Sequence, residues 1–84
     1  MTPEETLIEA ARRYRGAHKV WKERNGAWKA EFPEEYEAWY GGVARGGPPV
    51  SLFSLPNWGR IVREANDAEM ETWAALREAA KELP

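Results

Sequence analysis

Large or apolar side chains recur at alternating intervals of four and three residues along the first third of the chain. The positions are Leu7, Ala11, Tyr14, His18, Trp21, Asn25 and Trp28. Because an α-helix has about 3.6 residues per turn, this spacing puts them on one stripe of a helix and excludes a strand, whose side chains alternate. "TPEE" adds a start signal: Thr2 is a capping residue, Pro3 suits the first helical position and Glu5 completes a capping box. We therefore predict a first helix over about residues 3–24, stopped by Asn25-Gly26, with an extension through Trp28 as the alternative.

Further helical segments follow this first one. "FPEEYEAWYGG" predicts a short helix over residues 33–40, stopped by Gly41-Gly42, with one strongly aromatic face. A third helix is expected over 57–65, capped by Ser54 or Asn57, and a fourth over 67–82. A capping-box pattern at Asn66 favours that break, and one helix over 57–82 is the alternative. With no alternating strand pattern, the sequence predicts an all-α single domain over residues 1–84, a small bundle of three to four helices.

"GGPPVSLFSLPNW", residues 46–58, lies in a long connection predicted over about residues 41–57. A connection of that length in a compact domain is expected to be packed or functional. We expect residues 46–49 to turn the chain, and Leu52, Leu55 and Trp58 to fold back over an aromatic core. Phe53 would point the opposite way if the segment is extended, so we expect it to be exposed.

The composition limits the cellular compartment and the class of protein that we expect. The 84 residues contain no cysteine, which excludes disulfides and thiolate chemistry and suits a reducing cytoplasm. Neither a signal peptide nor a membrane span is expected. Residues 1–30 carry seven Lys or Arg against four Glu, and residues 64–84 carry six acids against two bases. Either the two end helices pack together and attract each other, or the basic end faces an acidic ligand.

The chain has few residues that could form a catalytic or metal-binding site. His18 is the only histidine, and it has no partner ligand at helical spacing, so we expect a structural imidazole and no metal site. Glu34, Glu35 and Glu37 are expected to form a solvated face. No phosphate-binding loop, dinucleotide fingerprint or serine-hydrolase elbow is present. The sequence therefore predicts neither an enzyme nor a bound cofactor.

Four cations lie at spacings of three, four and three on the first helix: Arg12, Arg15, Lys19 and Lys22. We call this row the basic edge. Such a row is typical of a solvated helix face, here with Glu9–Arg13 and Lys19–Glu23 pairs. It is also typical of a surface that binds an acidic protein. A third interpretation is nucleic-acid binding, in which the cations contact phosphates and bases stack on Tyr14, Trp21 or Trp28. The sequence pI of about 5.4 argues against nucleic acid.

The ten aromatic residues exceed what one small core needs, so we expect two to four of them to be substantially exposed. Our leading hypothesis is a non-enzymatic protein-binding module, an inhibitor or adaptor. The residues expected to bind a protein partner with an acidic or mixed surface are Arg12, Arg15, Lys19, Lys22, Trp28 and Phe53. The alternatives are a nucleic-acid-binding helical module and a self-associating structural subunit. In size and style, though in no motif, the chain is similar to compact bacteriophage and mobile-element proteins, anti-CRISPR proteins among them, that block a larger host machine.

Overall fold

The computed structural model describes residues 2–46 and 50–83, and this part of the chain is helical without any strand. The elements are α1 (Pro3–Glu31), α2 (Pro33–Ala44), a 3-10 helix (Leu52–Ser54), α3 (Pro56–Ile61) and α4 (Arg63–Lys81). The predicted all-α class is confirmed. Within these residues no helix combines the length and the apolar character needed to cross a bilayer.

α1 begins where it was predicted and ends later. The Thr2 hydroxyl oxygen accepts the backbone N–H of Glu5 at 3.1 Å, which is the expected cap. The predicted stop at Asn25-Gly26 is wrong, because α1 continues to Glu31 and exceeds even the alternative extension. A glycine inside a helix costs only about 1 kcal/mol. Continuing the helix buries the Trp28 side chain, which is 1% exposed, and this burial outweighs that cost.

α2 also extends beyond its predicted end at residue 40. It runs through Gly41-Gly42 to Ala44, and the chain leaves it at Gly46, whose φ of 73° lies in the left-handed region that ends helices. The connection is therefore shorter than the predicted 41–57, and the 3-10 helix and the start of α3 occupy its second half. Gly46 fits the expected turn, whereas residues 47–49 lie outside the described residues.

The predicted break in the last third of the chain exists, but at Val62 and not at Asn66. Val62 is completely buried, so packing places the break, whereas the Asn66 side chain donates to Met70 Sδ at 3.6 Å within α4. The predicted caps of the third helix are also wrong. The N-cap is Leu55, which has no side-chain hydrogen bond, and Glu35 from α2 supplies the acceptor.

α1 and α4 lie antiparallel and define the long axis of a molecule measuring 47 × 25 × 16 Å. The other elements gather at one end, around a core of Trp28, Trp58 and Val62. Leu52 and Leu55 pack against that core as predicted. At the opposite end, residues 3–17 of α1 and 70–81 of α4 form a bare helical pair, which we call the open half. Its only buried hydrophobic residues, among those described, are Ala10 and Ala79.

Candidate functional site

The basic edge forms a continuous exposed row on α1. All four of its cations line one shallow depression together with Gly16, His18 and Glu23. Within residues 2–46 and 50–83, no salt bridge involves any of these cations. The expected Glu9–Arg13 pair is present at 3.0 Å, but the expected Lys19–Glu23 pair is not formed there. The basic edge therefore presents its charge outward.

A ladder of four rings follows the seam between α1 and α4, beside the basic edge. Trp73 contacts Tyr14 with ring centroids 5.2 Å apart, and His18 stacks at 5.7 Å on both Tyr14 and Trp21. His18 Nδ1 also lies 3.2 Å from Glu69 Oε2, which is the only salt bridge joining α1 to α4 among the described residues. The two end helices thus lie side by side as expected, and among the described residues one ring contact, Tyr14 with Trp73, and one ion pair, His18 with Glu69, join them.

Beyond the ladder, α4 exposes an apolar strip. Met70 is 61% exposed and Trp73 is 48% exposed. They are three residues apart, and Arg77 follows Trp73 at four, so the three side chains share one side of α4. We call the surface made by Tyr14, His18, Met70, Trp73 and Arg77 the aromatic side; the basic edge borders it on α1. The binding residues predicted from the sequence include neither Met70 nor Trp73, although the spacing of Met70, Trp73 and Arg77 was a usable signal.

The other side of the α1–α4 seam differs in chemistry. It carries two grooves, one with Glu9, Arg13 and Glu71 in its lining and one with Arg24 and Glu64. Successive residues of an α-helix are rotated by 100° about its axis. These residues and the ladder therefore lie on opposite sides of the contact between α1 and α4. We call this surface the grooved side. Its charges are mixed, whereas four cations and one carboxylate, that of Glu23, line the depression of the basic edge.

Two of the predicted binding residues lie away from the basic edge. Trp28 is a core residue, and its buried indole donates from Nε1 to Glu35 Oε1 at 3.1 Å. The prediction that Trp28 contacts a partner is therefore wrong, because its position on the α1 stripe falls where α2 and α3 cover the helix. Phe53 is 57% exposed, as expected, but it lies in a 3-10 helix and not in an extended segment. Its neighbours are the rings and cations of its own end of the molecule, Trp58 at 5.2 Å and Arg63 at 5.6 Å.

Glu35 is a structural residue that sequence reasoning assigned to a solvated face. Its carboxylate accepts hydrogen bonds from Trp28 Nε1, from the Trp58 backbone N–H at 3.2 Å and from Asn57 Nδ2. Burial acts to raise the pKa of Glu35, but the hydrogen bonds from Asn57, Trp28 and Trp58 outweigh it and hold that pKa below its usual value. The charged carboxylate thus caps α3 from another helix and joins α1, α2 and α3.

Three of the ten aromatic residues are exposed, Tyr40, Phe53 and Trp73, which confirms the expected two to four. They lie on different elements: Tyr40 stacks on Tyr36 within α2 at 5.6 Å, Phe53 lies in the 3-10 helix, and Trp73 of α4 packs on Tyr14 of α1. The aromatic side therefore combines exposed apolar surface on α4 with the four cations of the basic edge on α1, whereas exposed Phe53 meets the single cation Arg63.

Within the described part of the chain, no three His, Asp or Glu side chains come together in a way that could hold a metal ion. Compared with known proteins, the chain matches no family model, no curated protein and no solved structure. The functional interpretation therefore depends on the geometry alone.

Proposed function

We propose that the protein is a binding module without catalytic activity, an inhibitor or adaptor that uses the aromatic side and the basic edge to hold a partner protein. One observation carries the proposal: Met70 and Trp73 are exposed on one side of α4, where Trp73 packs on Tyr14 of α1. Tyr14 in turn stacks on His18, which lines the same depression as four cations without salt-bridge partners among the described residues. Tryptophan, tyrosine and arginine are the residue types most enriched among those that dominate binding energy at protein interfaces, and methionine is also enriched in interfaces. The cytoplasmic setting expected from the cysteine-free composition is part of the same proposal.

The ring geometry favours a protein over single-stranded nucleic acid. Base stacking needs free ring faces, but His18 lies between Tyr14 and Trp21, and Tyr14 packs on both His18 and Trp73. Trp28, the third ring considered for stacking, is buried. A protein side chain can instead pack against the exposed part of Trp73 and against Met70 without separating the four rings of the ladder.

Site-directed photocrosslinking tests the proposal. A photoreactive phenylalanine analogue at Met70 should capture a discrete partner in extracts of the native host, because this position is exposed on the aromatic side. The same analogue at Glu71, the next residue, serves as the matched control, since Glu71 lines a groove on the grooved side. Captured protein and nucleic acid are then identified by mass spectrometry and nuclease digestion.

Two charge-reversal variants provide a second test of the same surface. Arg15→Glu, in the basic edge, should strongly reduce crosslinking from Met70, because it replaces attraction by repulsion at the border of the surface. Arg24→Glu changes the same residue type on the same helix but on the grooved side, and should leave crosslinking intact. Equal capture from positions 70 and 71, or equal effects of the two reversals, would show that the aromatic side is not the binding surface. A nuclease-sensitive product would instead favour nucleic acid.

A further inference from the structure

The open half is a helical pair without a third layer. The core cluster and the side chains packed against it include no residue of α1 before Trp21 and no residue of α4. In the open half only the small side chains of Ala10 and Ala79 are buried, while Ile8, Met70 and Trp73 are exposed by about half or more. Two helices alone cover only one stripe of each other, and a stable helical domain needs further layers on the remaining apolar surface.

The dimensions of the molecule agree with a missing layer. Its radius of gyration is 16.1 Å, whereas a compact domain of this length has a value of about 12 Å. Its accessible surface is 6152 Å², whereas a monomeric protein of this mass exposes about 5,100 Å². The difference is similar to the roughly 800 Å² that each partner contributes to a standard interface. The chain thus has the surplus surface that one docked partner would cover.

The positive charge of the aromatic side and the basic edge indicates which kind of partner this surface can bind. A symmetric dimer through the aromatic side would bring two copies of the same positively charged surface together, with Arg15, Lys22 and Arg77 of each copy in the interface, and such like-charge contacts are unfavourable. The carboxylate that touches the ladder, Glu69, is already paired with His18. The surface is therefore complementary to acidic side chains that flank an apolar stripe.

We propose that the aromatic side of the open half binds an acidic amphipathic helix of a partner protein, which completes a three-helix bundle with α1 and α4. Apolar side chains of that helix pack on Met70 and Trp73, and its carboxylates lie against the basic edge. The basic edge, residues 12–22 of α1, extends over about 16 Å, so the docked segment needs at least about 11 residues, or three turns. This inference rests on the proposed function and adds the class of partner.

Synthetic helices test the inference directly. The probe is a lactam-stapled peptide of about 18 residues with Leu at helical spacings of three and four and Glu on both flanks of the Leu stripe. The matched control has Lys in place of every Glu, and a single-stranded oligothymidylate of equal charge tests nucleic acid. Binding to the whole chain is measured by calorimetry, and the bound surface is mapped by amide and indole NMR shifts.

We expect the acidic helix to bind at least about tenfold more tightly than its lysine counterpart and to shift the Trp73 indole. Arg15→Glu should weaken binding about tenfold, and Arg24→Glu should change it by less than about twofold. Circular dichroism confirms that both exposed variants retain the fold.

Failure of the acidic helix to bind at about millimolar concentration overturns the inference, as do equal affinities for the two helices or tighter binding of the oligonucleotide. A concentration-dependent dimer in sedimentation, abolished by Met70→Glu, would assign the surface to a second copy and also overturn it. Crosslinking from Met70 to a partner without an acidic helix would leave the proposed function standing and refute only this inference.

Discussion

Replacing Glu35 by alanine should destabilise the fold more than replacing any other carboxylate, because this side chain joins three helices. Removing it leaves the indole N–H of buried Trp28 without its acceptor, at a cost of about 1–3 kcal/mol. It also removes the cap of α3 at the Trp58 N–H, a loss of typically about 1 kcal/mol. Together these give about 2–4 kcal/mol, a large part of the 5–15 kcal/mol that stabilises an ordinary small domain.

Urea unfolding followed by circular dichroism measures this difference. Glu34→Ala is the matched control, since Glu34 is exposed on the same turn of α2 and should change the free energy of unfolding by less than about 0.5 kcal/mol. The reasoning about Glu35 is refuted if the two alanine variants have the same unfolding midpoint. A Glu35→Ala chain that is already unfolded without urea would instead support it.

The same carboxylate predicts the direction of the pH dependence. Hydrogen bonds hold the pKa of Glu35 below its ordinary value of 4.5 in the folded chain. A carboxyl with a lowered folded pKa stabilises the protein above its unfolded pKa, and this contribution is lost as the pH falls through the folded pKa. Glu35→Gln cannot ionise, so its free energy of unfolding should fall less between about pH 5 and pH 3 than that of the native chain. Parallel curves for the two proteins would contradict this.

Two further predictions concern α1 and α4. Gly16→Ala and Gly26→Ala should each stabilise the chain by about 0.5–1 kcal/mol, because an added methyl group at either position meets nothing within 4 Å. Melting temperatures that stay equal or fall would contradict that account. Trp28→Ala should cost about 3–5 kcal/mol, whereas Met70→Ala should cost less than about 1 kcal/mol. This difference follows from their 1% and 61% exposure, and similar midpoints in urea would refute the division into core and surface.

Features that depend on neighbouring residues were predictable from the sequence. The helical class, the cap at Thr2 and the exposure of Phe53 agree with the structure. The predicted packing of Leu52 and Leu55 against the core also agrees with the structure, because apolar side chains that follow a turn are stabilised by contact with the nearest apolar surface. The reason given for Phe53 was wrong, since the segment is a 3-10 helix and not an extended strand.

Features decided by burial were not predictable in this way. Asn25-Gly26 and Gly41-Gly42 are sequence signals for a helix end, yet both lie inside helices. At Val62 the opposite holds, because no breaker residue marks the point where one helix ends and the next begins. In each case a contribution of about 1 kcal/mol from local propensity competes with a larger one from packing. The packing contribution depends on residues distant in sequence, as with Trp28 and Trp58 in one core.

The candidate surface shows the same dependence on distant residues. Tyr14 and Trp73 are far apart in the sequence and are in contact only because α1 and α4 pack against each other. The unequal charge of the two ends suggested attraction between these helices, but a single pair, His18 with Glu69, joins them among the described residues. Folding instead leaves the cations of the basic edge unneutralised beside an apolar strip. An overall charge of -2 therefore says little about the partner, because a docked molecule meets the local charge of the surface that it covers.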